Sequence, residues 1–177
     1  MSAEDVQIDG SESKPPPPYN AKLIQGVSKQ ATLLGIELVG LFLSVDDDEP
    51  LRSEERGGRE LEPVVSATGT WDIDRESGLL GTVIRFAVGT APEPDPYTGE
   101  FFIGAEYRAT YRVAGIEDLS DEALGCFAIW NGQFNTWPYL REVTQNVATR
   151  AGLGEVLIPL LRIPGAVPST AEAASEG

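Results

Sequence analysis

Residues 100–113 read EFFIGAEYRATYRV, and from Ala105 onward they alternate without a break. Ala105, Tyr107, Ala109, Tyr111 and Val113 fall on one side of an extended chain, and Glu106, Arg108, Thr110 and Arg112 on the other. A side-chain period of two is that of a strand with one packed face and one face that is wet or covers a partner. Further on the period changes. Leu119, Ala123, Phe127, Trp130 and Phe134 step by 4, 4, 3 and 4, the stripe of a helix that buries an aromatic face, with Asp118 or Ser120 as its cap. A second helix is expected from Thr136, with Pro138 in its first turn and Leu140, Val143, Val147 and Ala151 on one stripe, ending at Gly152. Asn131, Gly132 and Asn135 weaken the first helix and place a short link between the two. Val156 to Pro164 is strongly apolar with two prolines and reads as an extended segment laid on a surface.

Upstream, Leu79 to Val88 and Val64 to Ile73 carry strand composition, and Asp74-Arg-Glu-Ser-Gly78 between them has hairpin-turn chemistry. Ala31 to Val45 is apolar densely enough for a strand buried on much of both faces. Ala21 to Gln30 is weakly helical. Pro92, Pro94 and Pro96 make residues 91–99 a rigid connection, since each removes a ladder donor. Asp46 to Glu60 holds almost nothing apolar and reads as a long solvated loop. Strands first and helices last give an α+β fold: a four-stranded antiparallel sheet with two carboxy-terminal helices on one side.

The whole chain has 177 residues, enough for one domain with its own core. Residues 1–20, acidic and closed by Pro15 to Pro18, bury too little to order themselves, and 166–177 read the same way, leaving 21–165 as the domain. The proline run is a solvated linker or a ligand for a proline-binding module. An acidic amino terminus and no apolar run long enough to span a bilayer predict a cytoplasmic protein without membrane insertion.

Charge and missing residue types remove much chemistry. With 28 Asp and Glu against 13 Lys and Arg, the net charge of −15 disfavours nucleic acid as a partner. The absence of histidine removes the usual general base and every His-containing metal site. A single cysteine, Cys126, forms no internal disulfide and reads as a small buried apolar residue. Asp72 and Asp74 project from one side of a strand, as a carboxylate pair or as solvated residues beside a turn. Asp46 to Glu49 lacks the spacing of a calcium loop, and no phosphate-cradling glycine motif occurs. No enzyme activity, cofactor or metal is expected. What stands out is apolar: Trp130, Phe134, Trp137 and Tyr139 lie within ten positions, in a chain whose acidic rim keeps exposed apolar surface from precipitating.

The segment Trp137-Pro-Tyr-Leu-Arg-Glu142 resembles the opening of the carboxy-terminal helix in the SecB export-chaperone family, whose motif is Pro-Tyr-x-Arg-Glu. The motif positions are Pro138, Tyr139, Arg141 and Glu142, followed by Arg150, Gly152, Leu153 and the apolar Val156 to Pro159. Upstream, Tyr111 to Glu117 resembles the last strand leading into the crossover helix. Phe134-Asn-x-Trp-Pro-Tyr and Ile158-Pro-Leu-Leu161 are more similar to the SecB-like proteins of actinobacteria and phages than to the proteobacterial export type. The resemblance implies a dimer pairing into a tetramer, with grooves that bind unfolded chains without ATP. It also implies clients delivered to the SecA motor or an antitoxin guarded in a toxin–antitoxin system. The function expected is therefore an ATP-independent holdase for non-native polypeptides, with Trp71, Trp130, Phe134, Trp137, Leu157 and Ile158 as candidate client-binding residues. The alternative is an interaction protein dedicated to a single folded partner. An isomerase- or dehydratase-like enzyme using Asp72 or Asp74 is the weakest expectation, because no carboxylate falls in an apolar stretch that would raise its pKa.

Overall fold

The four segments of strand composition pair as one antiparallel sheet. The computed structural model describes residues 17–45, 63–91, 93–94, 99–153 and 155–162. The expected loop at 46–60 and the tails 1–16 and 166–177 lie outside the described residues. Helix α1 (Ala21–Ser28) precedes strands β1 (Ala31–Val45), β2 (Val64–Asp74), β3 (Leu79–Gly89) and β4 (Phe101–Val113); a 3-10 turn (Ile116–Asp118) leads into helix α2 (Asp121–Arg150). The sheet order is β1-β4-β3-β2, so β1 and β2 are its edges. Asp74 fixes the β2–β3 hairpin by accepting from the Glu76 and Ser77 amides at 3.1 Å and from the Ser77 hydroxyl, and Gly78 supplies the left-handed residue at φ +70°.

The α+β class and the four-stranded antiparallel sheet are those expected from the sequence. The alternation in β4 is borne out: Ala105, Tyr107, Ala109, Tyr111 and Val113 are all buried beneath the helix layer. Ser120, rather than Asp118, caps α2, accepting from the Ala123 amide at 3.2 Å. Gly152 ends the helix at φ +73°. Beyond it, Val156 and Ile158 return as an extended segment into the core that Phe86, Val88, Phe101 and Ile103 build at one end of the sheet. A second cluster, around Leu80, Ala109, Tyr111, Leu124 and Phe127, takes Val27 of α1 at the other end.

Two expectations are corrected. The link between two carboxy-terminal helices does not exist: residues 121–150 form one 30-residue helix with Pro138 inside it. Gly125, Gly132 and Pro138 together disfavour an isolated helix by about 5 kcal/mol. Burial of Leu124, Phe127, Ile129 and Leu140, at about 1.5–3 kcal/mol each, outweighs that. Gly132 is there for contact, since a Cβ on it would meet Thr82 Cγ2 at 2.9 Å and Ile84 at 3.1 Å. The second correction concerns β1, expected to be buried on much of both faces. Among the described residues it is exposed along most of its length, because α2 packs on β2, β3 and β4 rather than on the β1 edge.

Candidate functional site

Of the two aspartates that sequence reading weighed as a carboxylate pair, Asp74 serves the fold. Asp74 belongs to the hairpin turn, where the Ser77 hydroxyl and amide hold its carboxyl below the usual carboxylate range. Asp72 lies across Gly81 of β3, its cross-strand neighbour. Arg75 donates to the Ile116 carbonyl, to the Leu119 carbonyl at 3.1 Å and to the Asp121 carboxylate at 2.5 Å, tying the hairpin to the start of α2. Arg85 and Glu106 pair at 2.5 Å between β3 and β4. Among the described residues no group of acidic or thiol side chains could hold a metal ion, and no helix is long and apolar enough to cross a membrane. Cys126 is buried, and burial pushes its thiol up from the ordinary value.

Two apolar surfaces are open among the described residues. The first is β1. Register shifts at Leu33/Gly35 and Leu38/Gly40 mark β-bulges, and they restore phase. Leu33, Ile36, Leu38, Leu41 and Leu43 thereby stand opposite Tyr111, Ala109, Tyr107, Ala105 and Ile103, all on the α2 side of the sheet. Of these five, only Ile36 is drawn into the core, while Leu33, Leu38, Leu41 and Leu43 are exposed. On the other side Phe42, 52% exposed, leans on Phe102 with ring centroids 6.0 Å apart. The outer backbone edge of β1 pairs with no described strand.

The second is made by exposed side chains of α2 and of the extended segment after it. Phe134 is 57% exposed and Leu160 74%, with Tyr139 and Leu157 also open. Trp137 joins helix to segment: its indole N–H donates to the Pro159 carbonyl at 3.0 Å, and its ring meets Phe86 edge-on at 5.7 Å. Trp130 does the same for the amino-terminal segment, donating to the Pro17 carbonyl at 3.1 Å and meeting Tyr19 edge-on at 5.3 Å. Tyr19, Ile24, Trp130, Phe134, Leu161 and Arg162 line a half-open, mainly apolar pocket of about 170 Å³, with Arg162 its charged residue.

The structure thus brings four of the six sequence-picked residues, Trp130, Phe134, Trp137 and Leu157, to the α2 surface. Ile158, 4% exposed, faces inward into the core. Trp71 sits on β2, half-buried against Gly125, whose absent side chain makes room for the indole. Tyr139, which the sequence grouped with these aromatics, is exposed as well, and so is Leu160, which sequence reading did not name. Pro17 to Asn20 lie against α2. Sequence reading missed the β1 surface. The signal there was the pair Gly35 and Gly40, placed where a strand of continuous apolar character bulges.

The tyrosines of β4 link the surface to the core. Tyr107, beneath Tyr139 at 6.4 Å, is pushed up to about 12 by burial and by the nearby Glu142 carboxylate. Tyr111 is raised by burial, opposed by the hydrogen bond its hydroxyl accepts from Asn135 at 3.0 Å.

Among solved structures, the fold is similar to the SecB-like chaperone Rv1957 of Mycobacterium tuberculosis, solved in complex with a ChAD peptide from the Rv1956 HigA1 antitoxin. The two are 18% identical with a TM-score of 0.62, over 81% of this chain and 99% of that one. A protein of unknown function from Streptococcus agalactiae aligns over 75% of this chain and 98% of that one, at 12% identity and a TM-score of 0.39. No family model and no curated protein matches the sequence. At this identity the first likeness shows a SecB-like α+β fold.

Proposed function

We propose that this protein is an ATP-independent holdase that binds extended, non-native polypeptide along the outer face of α2. The observation that carries the reading is the set of exposed apolar side chains Phe134 and Tyr139 on α2 and Leu157 and Leu160 on the segment after it, with the partly covered indoles of Trp130 and Trp137 on the same helix, on a chain of net charge −15. Covering apolar surface yields ~25 cal/mol per Å², so an unfolded segment is held by many modest contacts without sequence reading. A folded protein presents no such segment and is released. Among the motif positions, Pro138, Tyr139, Arg141 and Glu142 are exposed on α2, while Arg150 and Gly152 mark the turn into the extended segment. Ile158 lies in the core and Trp71 is half-buried against Gly125 near the start of α2, so neither belongs to this surface.

The β1 surface serves a different occupant. A long apolar edge strand invites pairing with another strand, and a second copy of this chain, joined along β1, would bury Leu33, Leu38, Leu41 and Leu43 of each. The working form is then a homo-oligomer. Its sedimentation mass should be a multiple of the 19.0 kDa chain, and Leu38→Glu with Leu41→Glu should return it to one chain.

The test of the function is light scattering of two unrelated unfolded proteins diluted into buffer without nucleotide. Suppression of both supports a general holdase, whether its clients are chains bound for SecA or antitoxins. The second reading, a protein dedicated to one partner, is favoured by the cavity at Trp130 and Arg162, sized for a single bulky side chain. The Rv1957 neighbour, solved with an antitoxin peptide, fits that reading as well. Suppression of neither protein, with tight binding of one peptide, would select it.

A further inference from the structure

Pro17 to Asn20 cross α2 on the surface just described, and they do so through specific contacts. The Pro17 carbonyl accepts the Trp130 indole N–H at 3.1 Å, the Pro18 carbonyl faces the Cys126 thiol at 3.6 Å, and the Tyr19 ring stands edge-on to Trp130 at 5.3 Å. Asn20 then caps α1 through the Lys22 and Leu23 amides at 3.2 and 3.3 Å, which fixes the strap's carboxy-terminal end. An extended proline segment held by an indole N–H and an aromatic edge is the mode by which proline-rich ligands are read. Proline pre-sets the extended backbone, so little entropy is lost on docking. The rest of the surface offers Trp130 no other described polar partner for its N–H.

We infer that residues 17–19 are a built-in occupant of the client surface, an intramolecular ligand that covers Trp130 and that a bound client displaces. This inference rests on the holdase reading. A site filled by its own strap binds clients more weakly by the fraction of molecules in which the strap is off. Release of the strap takes the Pro18 carbonyl off the Cys126 thiol, which is 1% exposed in the closed form and also faces the Asn20 carbonyl at 4.0 Å, and so opens one side of the thiol and makes it a reporter of opening.

The test uses the full-length chain and a permanently unfolded, thiol-free client, reduced and carboxymethylated lactalbumin. The triple variant P17G/P18G/Y19A removes the stiffness and the ring while leaving the Asn20 cap. Cys126 should react with a thiol reagent at least about tenfold faster than in wild type, the factor that ~1.4 kcal/mol of docking represents. Lactalbumin should bind the variant tighter by a similar factor. In a second arm needing no variant, saturating lactalbumin should accelerate Cys126 modification in the wild-type chain. Measurable lactalbumin binding that is equally tight in both proteins overturns the strap proposal and leaves the holdase reading standing. So does a wild-type thiol that stays protected under saturating client. Absence of lactalbumin binding to either protein overturns both.

Discussion

Removing the Phe134 ring separates a binding role from a structural one. A phenylalanine carries about 200 Å² of surface, and with 57% of it open about 110 Å² is free to be covered by a client. At ~25 cal/mol per Å² full coverage amounts to about 2.8 kcal/mol. Association realises only part of this because interface side chains are ordered at the same time. If half is realised, Phe134→Ala weakens client binding about tenfold. The same substitution should shift unfolding free energy by no more than about 0.5 kcal/mol, as for a surface position. Binding is measured by fluorescence anisotropy of a labelled unfolded client, and stability by urea titration. Affinity within twofold of wild type would refute the assignment of this surface. A loss of about 3 kcal/mol in stability would refute the reading of Phe134 as exposed, since that is the cost of emptying a core position.

Other consequences concern the helix–sheet contact and the buried polar groups. Gly132→Ala gains about 1 kcal/mol in helix propensity, but its methyl would press on fully buried Thr82 and Ile84. Overpacking costs about 1–3 kcal/mol, so urea titration should show a net loss of up to ~2 kcal/mol. The Thr144 hydroxyl is buried in α2 without a hydrogen-bond partner. Thr144→Val should therefore be neutral or stabilising by about 1 kcal/mol in the same assay. The Tyr107 phenol titrates at about 12 in the folded chain against an ordinary 10.0. Its contribution to stability is complete below pH 10 and is lost as pH rises towards 12, because the unfolded chain gives up the proton first. Glu142→Gln removes one cause of the raised value and should lower the Tyr107 midpoint in an ultraviolet titration.

Much of this protein was legible in its sequence because strands, turns and helix stops are set by neighbours a few residues away. The period of two in residues 105–113, the Asp74 to Gly78 turn and the left-handed Gly152 each declare themselves locally. So did the aromatic group at Trp130, Phe134 and Trp137, which the fold does bring to one surface. Tertiary packing decided the rest. Asn131, Gly132 and Asn135 read as a link, with Pro138 in the first turn of a second helix, yet one helix runs through them because Gly132 lets it approach Thr82 and Ile84 and the packed halves hold the proline in line. Phe134 belongs to the apolar stripe by spacing, but no layer of the described residues lies over it. The apolar character of β1 was plain from Leu33 to Val45, whereas its exposure depended on where α2 would lie. A hydrophobic pattern states that a face must be covered; only the placement of the other elements determines whether the same chain covers it or leaves it for another.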